Sequence, residues 1–144
     1  MVLILHAPDA CEEATELRFE LGRLGFRAVT FKRVTHHSSK VEILRAYVDL
    51  ILSVSVVIIL ASPDLFTDSL LNEIALNASV EKKMLPVVFG HEEAELPEWF
   101  SHPICLISGA KDDHVQWNKL IGSLQRRTGN YFQSTATDLS FYPN

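Results

Sequence analysis

Two kinds of apolar pattern alternate along most of the chain. Continuous apolar runs of four to eight residues are typical of strands that are covered on both faces. Such runs predict strands at residues 2–5, 54–60, 84–89 and 104–107, and a β-branched and aromatic run after a Gly turn predicts a fifth strand at 27–31. In the stretches between them, apolar residues recur at three- and four-residue spacing, which indicates amphipathic helices.

Four helices are predicted from this second pattern. They run from Pro8 to about Gly25, over 41–53, through Leu71 to Ala78 after a turn at 62–64, and through Trp117 to Leu124. Strands that alternate with helices favour an α/β fold in which right-handed crossovers place helices on both faces of a parallel sheet. We therefore predict a flavodoxin-like, doubly wound, five-stranded parallel sheet in the order 2-1-3-4-5.

Length and composition indicate one domain with a substantial core, since the chain has 144 residues and is 47% hydrophobic. We assign residues 1–127 to that domain. Residues 128–144 are polar with scattered aromatic side chains, and we interpret them as a tail or a linker.

The formal net charge of −5 argues against nucleic acid as a partner, because a phosphate backbone requires a basic surface. No apolar run reaches the ~18 residues of a membrane helix, so we expect no membrane insertion. Cys11 and Cys105 are far apart and show no metal spacing, which favours reduced thiols in a cytoplasmic domain.

The predicted topology indicates where a ligand would bind. In an open α/β sheet of this order, ligands lie beyond the carboxyl ends of strands one and three, where the winding direction switches. His6 and Asp9 close strand one, and the turn at 62–64 closes strand three. Ser69 and Glu73 lie on the helix that begins nearby. We expect a cleft lined by His6, Ser69, Glu73 and the polar loop 32–40.

Three places in the sequence resemble the TIR (Toll/interleukin-1 receptor) domain family. Ser69 and Glu73 have the four-residue spacing of a family motif that follows a Ser-Pro-like turn, and His6 occupies a position that is usually aromatic. The segment 115–120, with its central Trp117, is similar to a Trp-containing box near the end of animal TIR domains. The segments 85–89 and 96–99 also resemble the sister group of interleukin-17-receptor-like (SEFIR) domains.

The resemblance implies a cytosolic signalling domain of innate immunity that associates with other TIR domains. It also implies an alternative, an NAD⁺ glycohydrolase that cleaves the nicotinamide–ribose bond and is activated by self-assembly. Glu73 would then be the catalytic carboxylate, and His6, Asp9 and Ser69 would line the NAD cleft. NAD would be a substrate, and no bound cofactor is expected.

The resemblance also gives the polar loop a role in association. The loop contains five basic or titratable side chains, Lys32, Arg33, His36, His37 and Lys40. It lacks the Arg-Asp and Pro-Gly pairs of many receptor TIR domains, so the loop sequence does not indicate which partner it binds. The two histidines are adjacent and do not have the i, i+4 spacing of helical metal ligands, so we expect no metal site.

Each candidate residue also has an ordinary structural interpretation. A glutamate in the first turns of a helix, such as Glu73, is favoured by the helix macrodipole without any catalytic role. His6 can equally be a structural histidine at the end of a strand. The loop 32–40 can equally be a solvated surface loop. At position 69 many enzymes of the family carry Trp, so Ser69 removes an aromatic wall.

Overall fold

A computed structural model of the chain describes residues 1–30, 39–89, 96–106 and 114–129. The strands are β1 (Val2–Leu5), β2 (Ala28–Thr30), β3 (Val56–Ala61), β4 (Met84–Phe89) and β5 (Ile104–Leu106). The helices are α1 (Cys11–Arg23), α2 (Lys40–Ser53), α3 (Pro63–Thr67), α4 (Ser69–Val80) and α5 (His114–Thr128). A short 3₁₀ turn, Pro8–Ala10, precedes α1.

All five strands form one parallel sheet in the order β2-β1-β3-β4-β5. The predicted flavodoxin-like, doubly wound fold is therefore confirmed. β1 and β3 are adjacent inner strands, and all of their side chains except that of Ala61 are buried on both faces. That double burial explains why these strands read as continuous apolar runs in the sequence.

Two separate cores cover the two faces of the sheet. Successive residues of a strand point to opposite faces, so Val56 and Ile58 belong to one core while Val57 and Ile59 belong to the other. The first core packs the sheet against α1 and α5. The second packs it against α2, α3, α4 and Phe100. The sequence prediction of helices on both faces is thus confirmed.

Several predicted boundaries differ from the structure, and two of the differences have a clear physical reason. Val54 was predicted to begin the central strand, but it follows the last residue of α2, and its N–H donates to the Leu50 carbonyl. The strand begins at Val56, because an apolar run reports burial and not the start of a hydrogen-bonded ladder. Lys40 was predicted to end the polar loop, yet it begins α2, where the Ser39 hydroxyl accepts from the Glu42 N–H.

The predicted turn at 62–64 is part of an additional helix, α3. Ser62 caps this helix, with its hydroxyl accepting from the Leu65 N–H, and Pro63 occupies the first helical position. Proline suits that position because its missing N–H would have no helical partner there. Asp68 then breaks the helical path with an extended backbone before α4 begins.

Pro86 lies where the sheet tolerates a missing N–H donor. It pairs with Ile59 of β3, while the pairing with β5 begins only at Val87. That half of β4 therefore has a neighbouring strand on one side alone, which agrees with the preference of proline for sheet edges.

Candidate functional site

The carboxyl ends of β1 and β3 are tied together by Asp9. Its Oδ1 accepts from the Ser62 hydroxyl at 2.7 Å, and its Oδ2 accepts from the Asp64 N–H at 3.2 Å. Ser62 is only 8% exposed, so this hydrogen bond satisfies a buried hydroxyl. The carboxylate of Asp9 therefore joins the segments that follow the two inner strands.

A cavity of about 490 Å³ opens beside this tie. It is within the size range of small-molecule sites. His6 contributes from the end of β1, Thr30 from the end of β2, and Tyr47 from α2. The other described lining residues belong to the 3₁₀ turn, α1 and the start of α4: Pro8, Cys11, Thr15, Arg18, Asp68, Leu70 and Leu71.

Asp68 shapes the wall of the cavity at the α3–α4 junction. Its Oδ1 accepts from the Leu70 N–H at 2.9 Å and from the Leu71 N–H at 3.1 Å. These are the first free donors of α4, so Asp68 is the N-cap of that helix. The cap fixes the direction in which α4 leaves the cavity and holds Leu70 and Leu71 against it.

The polar groups of the cavity come from several elements. His6 Nδ1 lies 2.9 Å from the Ala7 carbonyl oxygen, which is the geometry of a donated hydrogen bond from that nitrogen. Cys11, Thr15 and Arg18 have i, i+4, i+7 spacing on α1 and so follow one stripe of the helix. The site offers an apolar wall together with imidazole, guanidinium, hydroxyl and carboxylate groups.

The structure brings only one of the four predicted cleft residues into the cavity lining. His6 lines the cavity, whereas Asp9 is engaged by Ser62 and Asp64. Ser69, the first residue of α4, is exposed and does not line the cavity. Glu73 is likewise exposed on α4, one turn beyond Leu70, and is not part of the cavity lining.

The predicted interaction loop falls mainly outside the described residues. This applies to Lys32, Arg33, His36 and His37. Lys40 is described only as the first residue of α2. Thr30, the last residue of β2 and the last described residue before the loop, lines the cavity.

Apart from His6, sequence reasoning missed the described lining residues, among them Arg18, Thr30, Tyr47 and Asp68. Asp68 had a readable signal, because an Asp directly before an apolar helical pattern marks an N-cap. Tyr47 lies among the buried apolar residues of α2 and is 3% exposed. Its place in the cavity lining depends on how α2 packs against the other elements. A local sequence pattern does not indicate such packing.

Two negative findings concern only the part of the chain that the structure describes. No group of three or more His, Cys, Asp or Glu side chains there is arranged to hold a metal ion. No helix there has the length and the apolar character needed to cross a bilayer.

Solved structures resemble this chain, although neither a protein-family model nor a curated protein matches its sequence. The TIR domain of the Toll-related receptor TRR-2 from Hydra magnipapillata is 25% identical. It aligns over 86% of this chain and 97% of its own, with a TM-score of 0.64. A prokaryotic SEFIR domain aligns over 90% and 92%, with a TM-score of 0.56 and 18% identity, and shows the shared fold.

The topology and these likenesses lead to one assignment. The sheet order agrees with the flavodoxin-like fold of TIR domains, and the likeness to the Hydra domain covers nearly all of that domain. The chain is a domain of the TIR/SEFIR type.

Proposed function

We propose that this TIR-type signalling domain acts by homotypic association with other TIR domains, in a cytosolic pathway of innate immunity. The observation that carries the proposal is the likeness to the TIR domain of a Toll-related receptor, at 25% identity over 97% of that chain. Signalling contacts of this kind are often small and transient. Association is therefore expected to depend on protein concentration.

The loop 32–40 is the proposed contact. It follows β2 beside the cavity and carries Lys32, Arg33 and Lys40. A basic loop on a chain with a net charge of −5 is complementary to most of the surface of a second copy. Electrostatic attraction would then contribute to both the rate and the selectivity of association.

Charge reversal in the loop tests this contact. Lys32→Glu combined with Arg33→Glu is expected to lower the weight-average mass of concentrated protein, measured by multi-angle light scattering. Arg45→Glu is the control, because Arg45 is exposed on α2 and does not line the cavity. Equal association of both variants and the wild type would remove the loop from the mechanism.

The second candidate function is NAD⁺ glycohydrolase activity, and the cavity is the observation that favours it. The cavity lies at the carboxyl edge where strand order reverses, is ligand-sized, and is bordered by the helix that carries Glu73. In the reaction, the bond between ribose C1′ and nicotinamide breaks and its electron pair leaves with nicotinamide. Water adds to C1′ and releases one proton.

Glu73 would stabilise the positive charge that develops on the ribose, as carboxylates do in glycoside hydrolysis. Its side chain is exposed one turn beyond the cavity-lining Leu70, so this role requires a rearrangement of the cavity mouth. Association through the neighbouring loop would supply that rearrangement. The rate would then rise more than linearly with protein concentration.

Nicotinamide release from NAD⁺ by concentrated protein tests this candidate. We expect Glu73→Gln and Glu73→Ala to abolish release, while Glu81→Gln, which alters an exposed glutamate just after the same helix, leaves it unchanged. Circular dichroism confirms that each variant is folded. A wild type that associates but releases no nicotinamide would leave association as the function.

A further inference from the structure

The amino edge of the sheet, opposite the cavity, carries a group of cations that we call the basic edge. They come from three parts of the chain and are Arg27, Lys82, Lys83, Arg126 and Arg127. In a parallel sheet with crossover helices, this edge collects the strand starts and the helix ends. The topology thus places cations that are distant in sequence at one end of the molecule.

Hydrogen bonds show that the basic edge is continuous. The Arg27 carbonyl accepts from the Val2 N–H at 2.8 Å, which joins the start of β2 to that of β1. Lys83 Nζ donates to the Leu52 carbonyl at 3.1 Å, next to the end of α2. Arg127 Nη1 donates to the Met84 carbonyl at 3.1 Å, which joins the end of α5 to the start of β4.

Apolar side chains are exposed among these cations. Val80 is 76% exposed at the end of α4, and Leu52 is 57% exposed beside the Lys83 ammonium group. Met1, whose carbonyl accepts from the Ser55 N–H at 3.0 Å, is 40% exposed. Apolar contacts surrounded by charge are typical of protein interfaces, where the rim remains polar.

The positive charge of the basic edge is poorly compensated. Burial, and after it the charge of the neighbouring Arg126, lower the pKa of the Arg127 guanidinium. Within the described ranges no carboxylate forms an ion pair with these five side chains. Glu81 is exposed next to Lys82, and Asp49 is exposed near the end of α2.

Part of the exposed side of α1, formed by Glu12, Glu16 and Phe19, has the opposite character, and we call it the acidic face. Glu12 and Glu16 are exposed one turn apart, and Phe19 follows in the next turn with 66% of its surface exposed. These residues, with Cys11 and Thr15, line an open groove. The acidic face therefore offers carboxylates around an exposed aromatic ring, which matches cations around exposed aliphatic side chains.

We infer that the basic edge of one copy docks on the acidic face of a second copy. The inference rests on the proposed homotypic association and adds a contact that is separate from the loop 32–40. Because the two surfaces differ, the contact is heterologous, and each copy in a pair retains one free surface of each kind. Such a contact continues into longer chains unless rotation closes a ring.

A second copy explains the basic edge better than an anionic membrane does. The whole chain carries a net charge of −5, so an anionic bilayer would repel most of its surface. Binding to a bilayer would also leave the exposed ring of Phe19 on α1 unused. A second copy uses both surfaces at once.

A mixing experiment with two neutralised variants of the full chain tests the inference. The first carries Lys82→Gln and Arg126→Gln, and the second carries Glu12→Gln and Glu16→Gln. We expect the self-dissociation constant of each double variant to be at least about tenfold higher than that of the wild type. An equimolar mixture retains one intact pair of surfaces, so in sedimentation velocity it should associate more strongly than either variant alone.

The controls separate this contact from the proposed function. Arg45→Gln, an exposed change on α2, should associate like the wild type. If the basic-edge variant and the acidic-face variant both associate as strongly as the wild type, the inference is overturned and homotypic association stands. A wild type that remains monomeric at every concentration would overturn both. If the basic-edge variant associates normally but loses binding to anionic vesicles, the basic edge binds membranes instead.

Discussion

The two edges of the sheet are built in different ways, although the same strands and helices reach both. At the carboxyl edge, side-chain carboxylates make the connections: Asp9 joins the inner strands, and Asp68 starts α4. At the amino edge, backbone groups make most of them, and the cations remain exposed. One edge therefore uses its charges to position a cavity, whereas the other leaves them available for contact.

Helix dipoles explain why the charges are sorted in this way. Helices begin at the carboxyl edge and end at the amino edge. Glu12 and Glu13 lie in the first turn of α1, and Arg126 and Arg127 lie in the last turn of α5, so each charge is favoured by the nearby helix end. The local preferences add up to complementary surfaces on one molecule.

The largest effect on stability is expected at the carboxyl edge, from Asp9→Ala. The change removes the acceptor of the buried Ser62 hydroxyl and of the Asp64 N–H. We expect the free energy of unfolding to fall by about 2 kcal/mol, measured by urea denaturation. Glu12→Ala, an exposed change three residues later, should stay within about 0.5 kcal/mol of the wild type.

A double-mutant cycle with Ser62→Ala sharpens this test. If the carboxylate acts through the Ser62 hydroxyl, removing both partners should cost less than the sum of the two single changes. Additive costs would mean that Asp9 does not tie the two strand ends together.

A smaller effect is expected from Asp68→Ala, which removes the N-cap of α4. We expect a loss of about 1 kcal/mol in the free energy of unfolding. Asp68→Asn retains a side-chain acceptor and should recover most of that loss. Equal losses in the two variants would show that the charge, and not the acceptor, matters.

The smallest effect is expected at the amino edge, from Lys83→Met. Lys83 Nζ donates to the Ile51 and Leu52 carbonyls at the end of α2, where a cation is favoured. At a partly exposed helix end we expect a cost of about 0.5 kcal/mol in unfolding free energy. Lys82→Met, at the exposed neighbouring residue, should have no measurable effect. A cost as large as that of Asp9→Ala would remove the distinction between the edges.

The sequence predicted the fold well because burial on both faces leaves a strong signal. β1 and β4 have the predicted bounds, and the sheet order follows from the alternation of strands and helices. The boundary between α3 and α4 at Asp68 was not predicted, because apolar residues occur in both helices. A change of backbone direction between two such helices is marked by the capping residue alone.

The candidate site was predicted less completely than the fold. A cavity lies at the carboxyl edge, where the topology predicts a ligand site, and His6 is one of its lining residues. The engagement of Asp9 with Ser62 joins residues that are 53 positions apart, and no local pattern encodes such a pair. The lining by Arg18 and Tyr47 likewise depends on how α1 and α2 pack at the sheet edge. The catalytic role of Glu73 stays a prediction.

Sedimentation velocity of the wild-type chain over a range of concentrations tests the central claim, homotypic association, most directly. The account predicts a weight-average sedimentation coefficient that rises with concentration at low salt. The value should fall towards that of the monomer in about 1 M salt, where charges are screened beyond about 3 Å. A single monomeric species at every concentration and salt would contradict the account.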